Sequence, residues 1–118
     1  MSNNKDFLVN GPVVIGKDTK VTVGSITSGD IDLSTGNYFD DTLSADTTYT
    51  ISNAGDVQAF QLEVTGASTY TITWPSSIEW AGGVAPSAPA NGETDVYTFT
   101  TDDGGTTYTG VKSIDNAS

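Results

Sequence analysis

Three close pairs of carboxylates, Asp30/Asp32, Asp40/Asp41 and Asp102/Asp103, are the only side chains here whose type and spacing would suit acid–base catalysis. Glycoside hydrolysis, for example, needs two carboxyl groups flanking one bond, one to donate a proton and one to attack or to activate water. Yet each pair lies in a Gly- and Thr-rich stretch, where aspartate ordinarily bonds its own backbone and shapes a turn. The chain has no Cys and no His. That removes disulfides, thiolate nucleophiles, Cys/His zinc sites, Ser-His-Asp triads and imidazole acid–base work. Calcium needs only oxygen ligands, but "TDDGGTTY" (101–108) lacks the alternating acids of an EF-hand loop. The expectation is a chain with no catalytic residues, no metal and no cofactor. "NAS" at 116–118 matches an N-glycosylation triplet, a pattern short enough to arise by chance.

The other distinctive side chains are Trp74 and Trp80, which flank a proline in "TITWPSSIEWAGGVAPSAPANG" (71–92). Pro75 cannot donate to a strand ladder and ends the strand that carries Trp74. "SSIEW" then allows a short strand with Ile78 and Trp80 on one face, followed by a long connection stiffened by Pro86 and Pro89. Two roles fit these indoles. They can close the end of a β-sandwich, or they can lie exposed as a ligand platform on which sugar rings stack.

The elements that must position these groups are strands. Thr, Val, Ile, Tyr, Phe and Trp dominate, whereas Arg is absent and Lys, Glu, Gln and Met are few. Period-two alternation marks one buried and one wet face in five segments. Tyr49 and Ile51 share a face in "TTYTIS" (47–52), as do Phe60, Leu62 and Val64 in "QAFQLEV" (58–64). Tyr70, Ile72 and Trp74 do so in "TYTITW" (69–74), Tyr97 and Phe99 in "DVYTFTT" (95–101), and Tyr108 lies inward in "TTYTGV" (106–111). Turn signals separate them: "NAGD" (53–56), "TGAS" (65–68) and "DDGG" (102–105), the last expected as a tight hairpin. This order of strands and turns predicts an all-β fold, an antiparallel β-sandwich of jelly-roll type over residues 38–118. Residues 1–37 are cut by glycines into short apolar runs. They read either as an extended N-terminal arm that docks elsewhere or as edge strands of the same domain; the arm reading places contact residues at Phe7, Leu8, Val9, Val13, Val14 and Ile15.

Charge is uneven along the chain. Of 118 residues, 15 are acidic and 4 are Lys, giving a net charge of −11. Residues 1–20 carry three of the lysines, and residues 21–118 carry only Lys112 against 13 acids. The body should therefore repel nucleic acid and anionic membranes. No stretch approaches the roughly 20 apolar residues of a membrane span, and the start lacks the pattern of a signal peptide. Synthesis in a cytoplasm is expected.

The segment "TITWPSSIEWAGGVAPSAPANGETDVYTFTTDDGGTTYTG" (71–110) resembles a small β-domain of virion structural proteins of tailed bacteriophages, often those of marine cyanobacteria. The Trp-Pro step, the Trp-Ala-Gly-Gly step and the "DVYTF…DGGTTYTG" hairpin carry the resemblance. "YFDDTLSADTTYTISN…QAFQLEVTGASTYTITW" (38–74) fits that domain's preceding strands. The resemblance implies a non-enzymatic role, either in tail fibres or in small proteins that decorate or cement a capsid. With room for one domain and a short arm, the decoration role is expected. Its partners would then be the major capsid protein and sister subunits in a homo-oligomer such as a trimer, and its location the capsid surface. The alternative is a tail-fibre or carbohydrate/receptor-binding module.

Overall fold

The computed structural model describes residues 22–117. Among them are ten strands: β1 (Ile26–Thr27), β2 (Asp30–Asp32), β3 (Tyr38–Thr42), β4 (Thr47–Thr48), β5 (Thr50–Ser52), β6 (Gln58–Thr65), β7 (Ile72–Thr73), β8 (Ile78–Trp80), β9 (Thr94–Thr101) and β10 (Tyr108–Ile114). The only helical element among the described residues is a single 3-10 turn, Ala81–Gly83. The fold is all-β, as expected from composition and alternation.

A five-stranded sheet, ordered β3-β6-β9-β10-β8, forms the frame. Its spine is the antiparallel β6–β9 pair, in register from Gln58↔Thr101 to Thr65↔Thr94. The phase of alternation sends Phe60, Leu62, Val64, Tyr97 and Phe99 to one face, and all five are buried. Ala59, Gln61 and Thr100 go to the other face. A three-stranded sheet, β1-β2-β5, and the short β4-β7 pair complete the architecture. Their Ile31, Leu33, Tyr49 and Ile72 join the same hydrophobic cluster as Phe39, Phe60 and Phe99.

Two expectations need correction. The sandwich is mixed rather than antiparallel: β3–β6, β2–β5, β4–β7 and β8–β10 are all parallel pairs. Alternation fixes which face each side chain takes, but says nothing about the direction of the neighbouring strand. The second concerns the boundary at residue 37. Residues 22–37 belong to the body: β2 pairs with β5, and Ile31 and Leu33 are buried in the core. Their apolar runs are short because each strand contributes only one or two residues inward. The arm contacts expected at Phe7, Leu8, Val9, Val13, Val14 and Ile15 lie outside the described residues.

Local chemistry explains the breaks. The 47–52 segment splits at Tyr49, where the chain leaves β7 for β2, while the Tyr49 amide still donates to Thr73 O at 3.0 Å. Gly66 lies against the returning chain so closely that a Cβ would fall 2.2 Å from the carbonyl oxygen of Ala90. Only glycine fits there. "DDGG" is not a two-residue hairpin; β9 and β10 are joined by residues 102–107, with Gly104 and Gly105 at positive φ (71° and 89°).

Truncating Ile31 tests the corrected boundary. Ile31→Ala should destabilise the protein by about 2–5 kcal/mol, the usual cost of emptying a buried aliphatic site. Urea denaturation would measure this, and an unchanged midpoint would place Ile31 outside the core.

Candidate functional site

The carboxylate pairs are held apart or tied to neighbouring hydroxyls. Asp30 and Asp32 sit two residues apart on β2. Asp30 accepts hydrogen bonds from Thr50 Oγ1 (2.7 Å) and Ser52 Oγ (2.6 Å) on β5. Asp32 accepts from Ser34 Oγ (2.6 Å), the Ser34 amide and Asn53 Nδ2. The Ser34 hydroxyl leads in holding the Asp32 pKa below the usual carboxylate value, with Asn53 next. Asp40 and Asp41 are adjacent on β3 and so point to opposite faces: Asp40 is exposed, while Asp41 accepts from the buried Tyr49 hydroxyl at 2.6 Å. Burial first, then the Asp41 bond, raises the Tyr49 phenol pKa well above its ordinary value. Asp103 organises the β9–β10 loop. It accepts from Thr107 Oγ1 (2.6 Å), the Thr107 amide (3.0 Å) and Thr101 Oγ1 (2.9 Å). These bonds, Thr107 Oγ1 foremost, hold its pKa at about 2. Four of the six acids, Asp30, Asp32, Asp41 and Asp103, are thus engaged in shaping strands and turns, while Asp40 and Asp102 are exposed.

Trp74 and Trp80 come together. Their ring centroids are 5.1 Å apart with planes at 67°, an edge-to-face contact. Trp74 also meets Tyr97 edge-on (4.9 Å) and lies tilted against Tyr49 (5.4 Å), and Trp80 meets Phe99 at 5.6 Å. Edge-to-face pairing satisfies the ring quadrupoles but leaves no coplanar pair of open faces. Both indoles are half-buried at one end of the core. Trp74 Nε1 is enclosed and has no hydrogen-bond partner.

A further cluster was not singled out from the sequence. Asp95 is fully buried (0% exposed), on the inner face of β9, in phase with Tyr97 and Phe99. Lys112 on β10 reaches along that face and places its Nζ 3.0 Å from Asp95 Oδ2 and 3.7 Å from Asp115 Oδ1. Its ammonium also lies 5.9 Å from the Tyr97 ring centroid. Asp95 Oδ1 accepts the Asn116 amide at 2.9 Å, which ties down the chain after β10. Glu93, Asp95 and Asp115 bring carboxylate oxygens within 4.8 Å of one another, but Lys112 already supplies a cation to two of the three. Two signals were legible: an acid in the apolar phase of "DVYTFTT", and a lone lysine among residues 21–118.

The outward face of the large sheet carries a row of hydroxyl and amide side chains, with Asp40, Glu63 and Glu79 as the charged groups in the same phase. Gln61 Nε2 donates to Thr98 Oγ1, Thr98 Oγ1 donates to Ser113 Oγ, and the Thr100 and Thr109 hydroxyls hydrogen-bond each other. Beside Trp80, a shallow depression of about 390 Å³ lies over Gly110, Val111 and Thr109.

No family model, curated protein or solved structure matches this chain.

The loop carboxylate gives a pH test. Because the Asp103 pKa is lowered from 3.8 to about 2, its contribution to stability is complete above about pH 4 and is lost as pH falls through about 2. Carboxyl-carbon NMR titration should place the Asp103 midpoint near 2, and Thr107→Val should move it up towards the ordinary value. A wild-type midpoint near 4 would mean that the loop bonds do not hold in solution.

Proposed function

We propose that this protein is a non-enzymatic structural component of a tailed-bacteriophage virion, a capsid decoration or cement protein that binds the lattice of the major capsid protein. The observation that carries this reading is the use made of the chain's reactive and aromatic groups. The indoles pack edge to face against the core, and at least one acid of each pair is tied to hydroxyls in strands and turns. No open cleft brings two free carboxylates together among the described residues. The resemblance of residues 71–110 to phage virion domains gives the class of assembly.

In this reading the acidic body is an outward knob, kept off nucleic acid and anionic membranes by its charge. Sister subunits assemble as a homo-oligomer, such as a trimer, on the capsid surface. Docking falls to residues 1–21, where Phe7, Leu8, Val9, Val13, Val14 and Ile15 sit among three of the four lysines. Backbone pairing by such a segment adds a strand to a partner's sheet, with main-chain bonds supplying affinity. The alternative, a tail-fibre or sugar-binding module, is less well supported by indoles that present no coplanar faces.

Two measurements decide. Heads and tails separated from purified particles should show this protein by mass spectrometry in the heads, in a copy number that follows the lattice. Recovery with tails alone would favour the fibre reading and refute the capsid one. Deleting residues 1–21 should abolish head binding and leave the thermal midpoint unchanged; binding retained by that truncation would refute docking through the arm.

A further inference from the structure

We infer that Lys112 and Asp95 are poised to form an intramolecular amide between Lys112 Nζ and Asp95 Cγ, a covalent cross-link between β10 and β9. The inference rests on the geometry of the pair and stands apart from the assembly reading. Four features converge on it. The reacting groups touch, with Nζ 3.0 Å from Oδ2, so the two are already held as one unit instead of meeting by diffusion. The acid is wholly buried and the lysine side chain only 18% exposed, so both charges are held largely out of water. A buried ion pair carries a desolvation cost that the neutral amide does not.

The third feature is the unequal surroundings of the two carboxylate oxygens. Oδ1 accepts the Asn116 amide at 2.9 Å, the distance at which a backbone donor stabilises a developing oxyanion. Oδ2 is enclosed and has no hydrogen-bonding partner apart from the ammonium beside it. The oxygen that would become the amide carbonyl is therefore the one held in place, and the oxygen that would leave is the one facing the lysine. The fourth is a proton carrier, Asp115, whose Oδ1 lies 3.7 Å from Nζ.

The step balances without a co-reactant. In the first step a proton passes from the ammonium to Asp95 Oδ2, leaving an amine beside a carboxylic acid. The nitrogen lone pair attacks Cγ, and the C–O π electrons move to Oδ1, towards the Asn116 N–H. Asp115 takes a proton from nitrogen and delivers it to the departing Oδ2. The Cγ–Oδ2 bond breaks, one water is released, and an N–C bond remains. Nothing is oxidised or reduced.

Intact-mass spectrometry of the folded full-length chain tests this directly, after allowance for removal of the initiator methionine. The expected mass is one water below that of the sequence, and the deficit should be absent from Lys112→Arg and Asp95→Ala. Trypsin should fail to cut after Lys112 in the cross-linked chain, and fragmentation should join residues 95 and 112. A folded wild-type protein at its full sequence mass, stable over days at neutral pH, would overturn the proposal. Asp115→Asn should slow appearance of the deficit by about 100-fold or more, as loss of a proton carrier does. An unchanged rate would overturn the part given to Asp115.

Discussion

The inner face of the β6–β9 pair is the constraint on which the remainder of the fold depends. Phe60, Leu62, Val64, Tyr97 and Phe99 project from two adjacent strands in one phase, and Phe60 stacks on Phe99 at 4.9 Å. Each such side chain gains about 1.5–3 kcal/mol by leaving water. Two strands cannot shield that surface themselves, so β3 and β10 extend it at the edges and the smaller sheets cover it. Phe39 comes from β3, Ile31 from β2, Tyr49 from the β4–β5 junction, Trp74 from the end of β7 and Tyr108 from β10. The β3–β6 parallel pair is joined through β4 and β5, which lie in the two smaller sheets, so the chain leaves the large sheet and returns to it in the same direction.

A second constraint is the shortage of cations. With Lys112 as the sole basic side chain after residue 20, the acids of the body cannot be neutralised by ion pairing. Hydroxyls and amides take that role. Asp30 is held by Thr50 and Ser52, Asp32 by Ser34 and Asn53, Asp41 by Tyr49, and Asp103 by Thr101 and Thr107. For Asp32 and Asp103 these bonds lower the carboxyl pKa without a counter-charge. The abundance of threonine thus has two uses, since the same residue suits a strand and supplies a donor.

The sequence made the faces legible and left the neighbours hidden. Alternation identified Phe60, Leu62, Val64, Tyr97, Phe99 and Tyr108 as inward, and each is buried. It could not reveal that β3 and β6 run parallel, because partner and direction depend on contacts distant in the chain. Nor could it assign Ile31 and Leu33 to the core, since a strand of three residues such as β2 is too short to display a period. Alternation does not mark β3, because "YFDDT" mixes one buried phenylalanine with two acids, and the Tyr49 hydroxyl gives the inward-phased Asp41 its partner. The Asp95 cluster had a signal, an acid in an apolar phase. Its meaning required the knowledge that β10 lies beside β9 and brings Lys112 across.

That pairing also decides how the C-terminal strand is held. β10 lies between β9 and the three-residue β8, and its register against β9 is irregular between Lys112 and Ile114. A ladder broken at that point would fray from its end, as terminal strands do when little ties them down. The Lys112–Asp95 contact and the Asn116–Asp95 bond fall on either side of the irregularity. The strand is therefore clamped where its backbone pairing is weakest. The buried aspartate costs the core a charge; in return, β10 is tied to β9 at Lys112 and again through the Asn116 backbone amide.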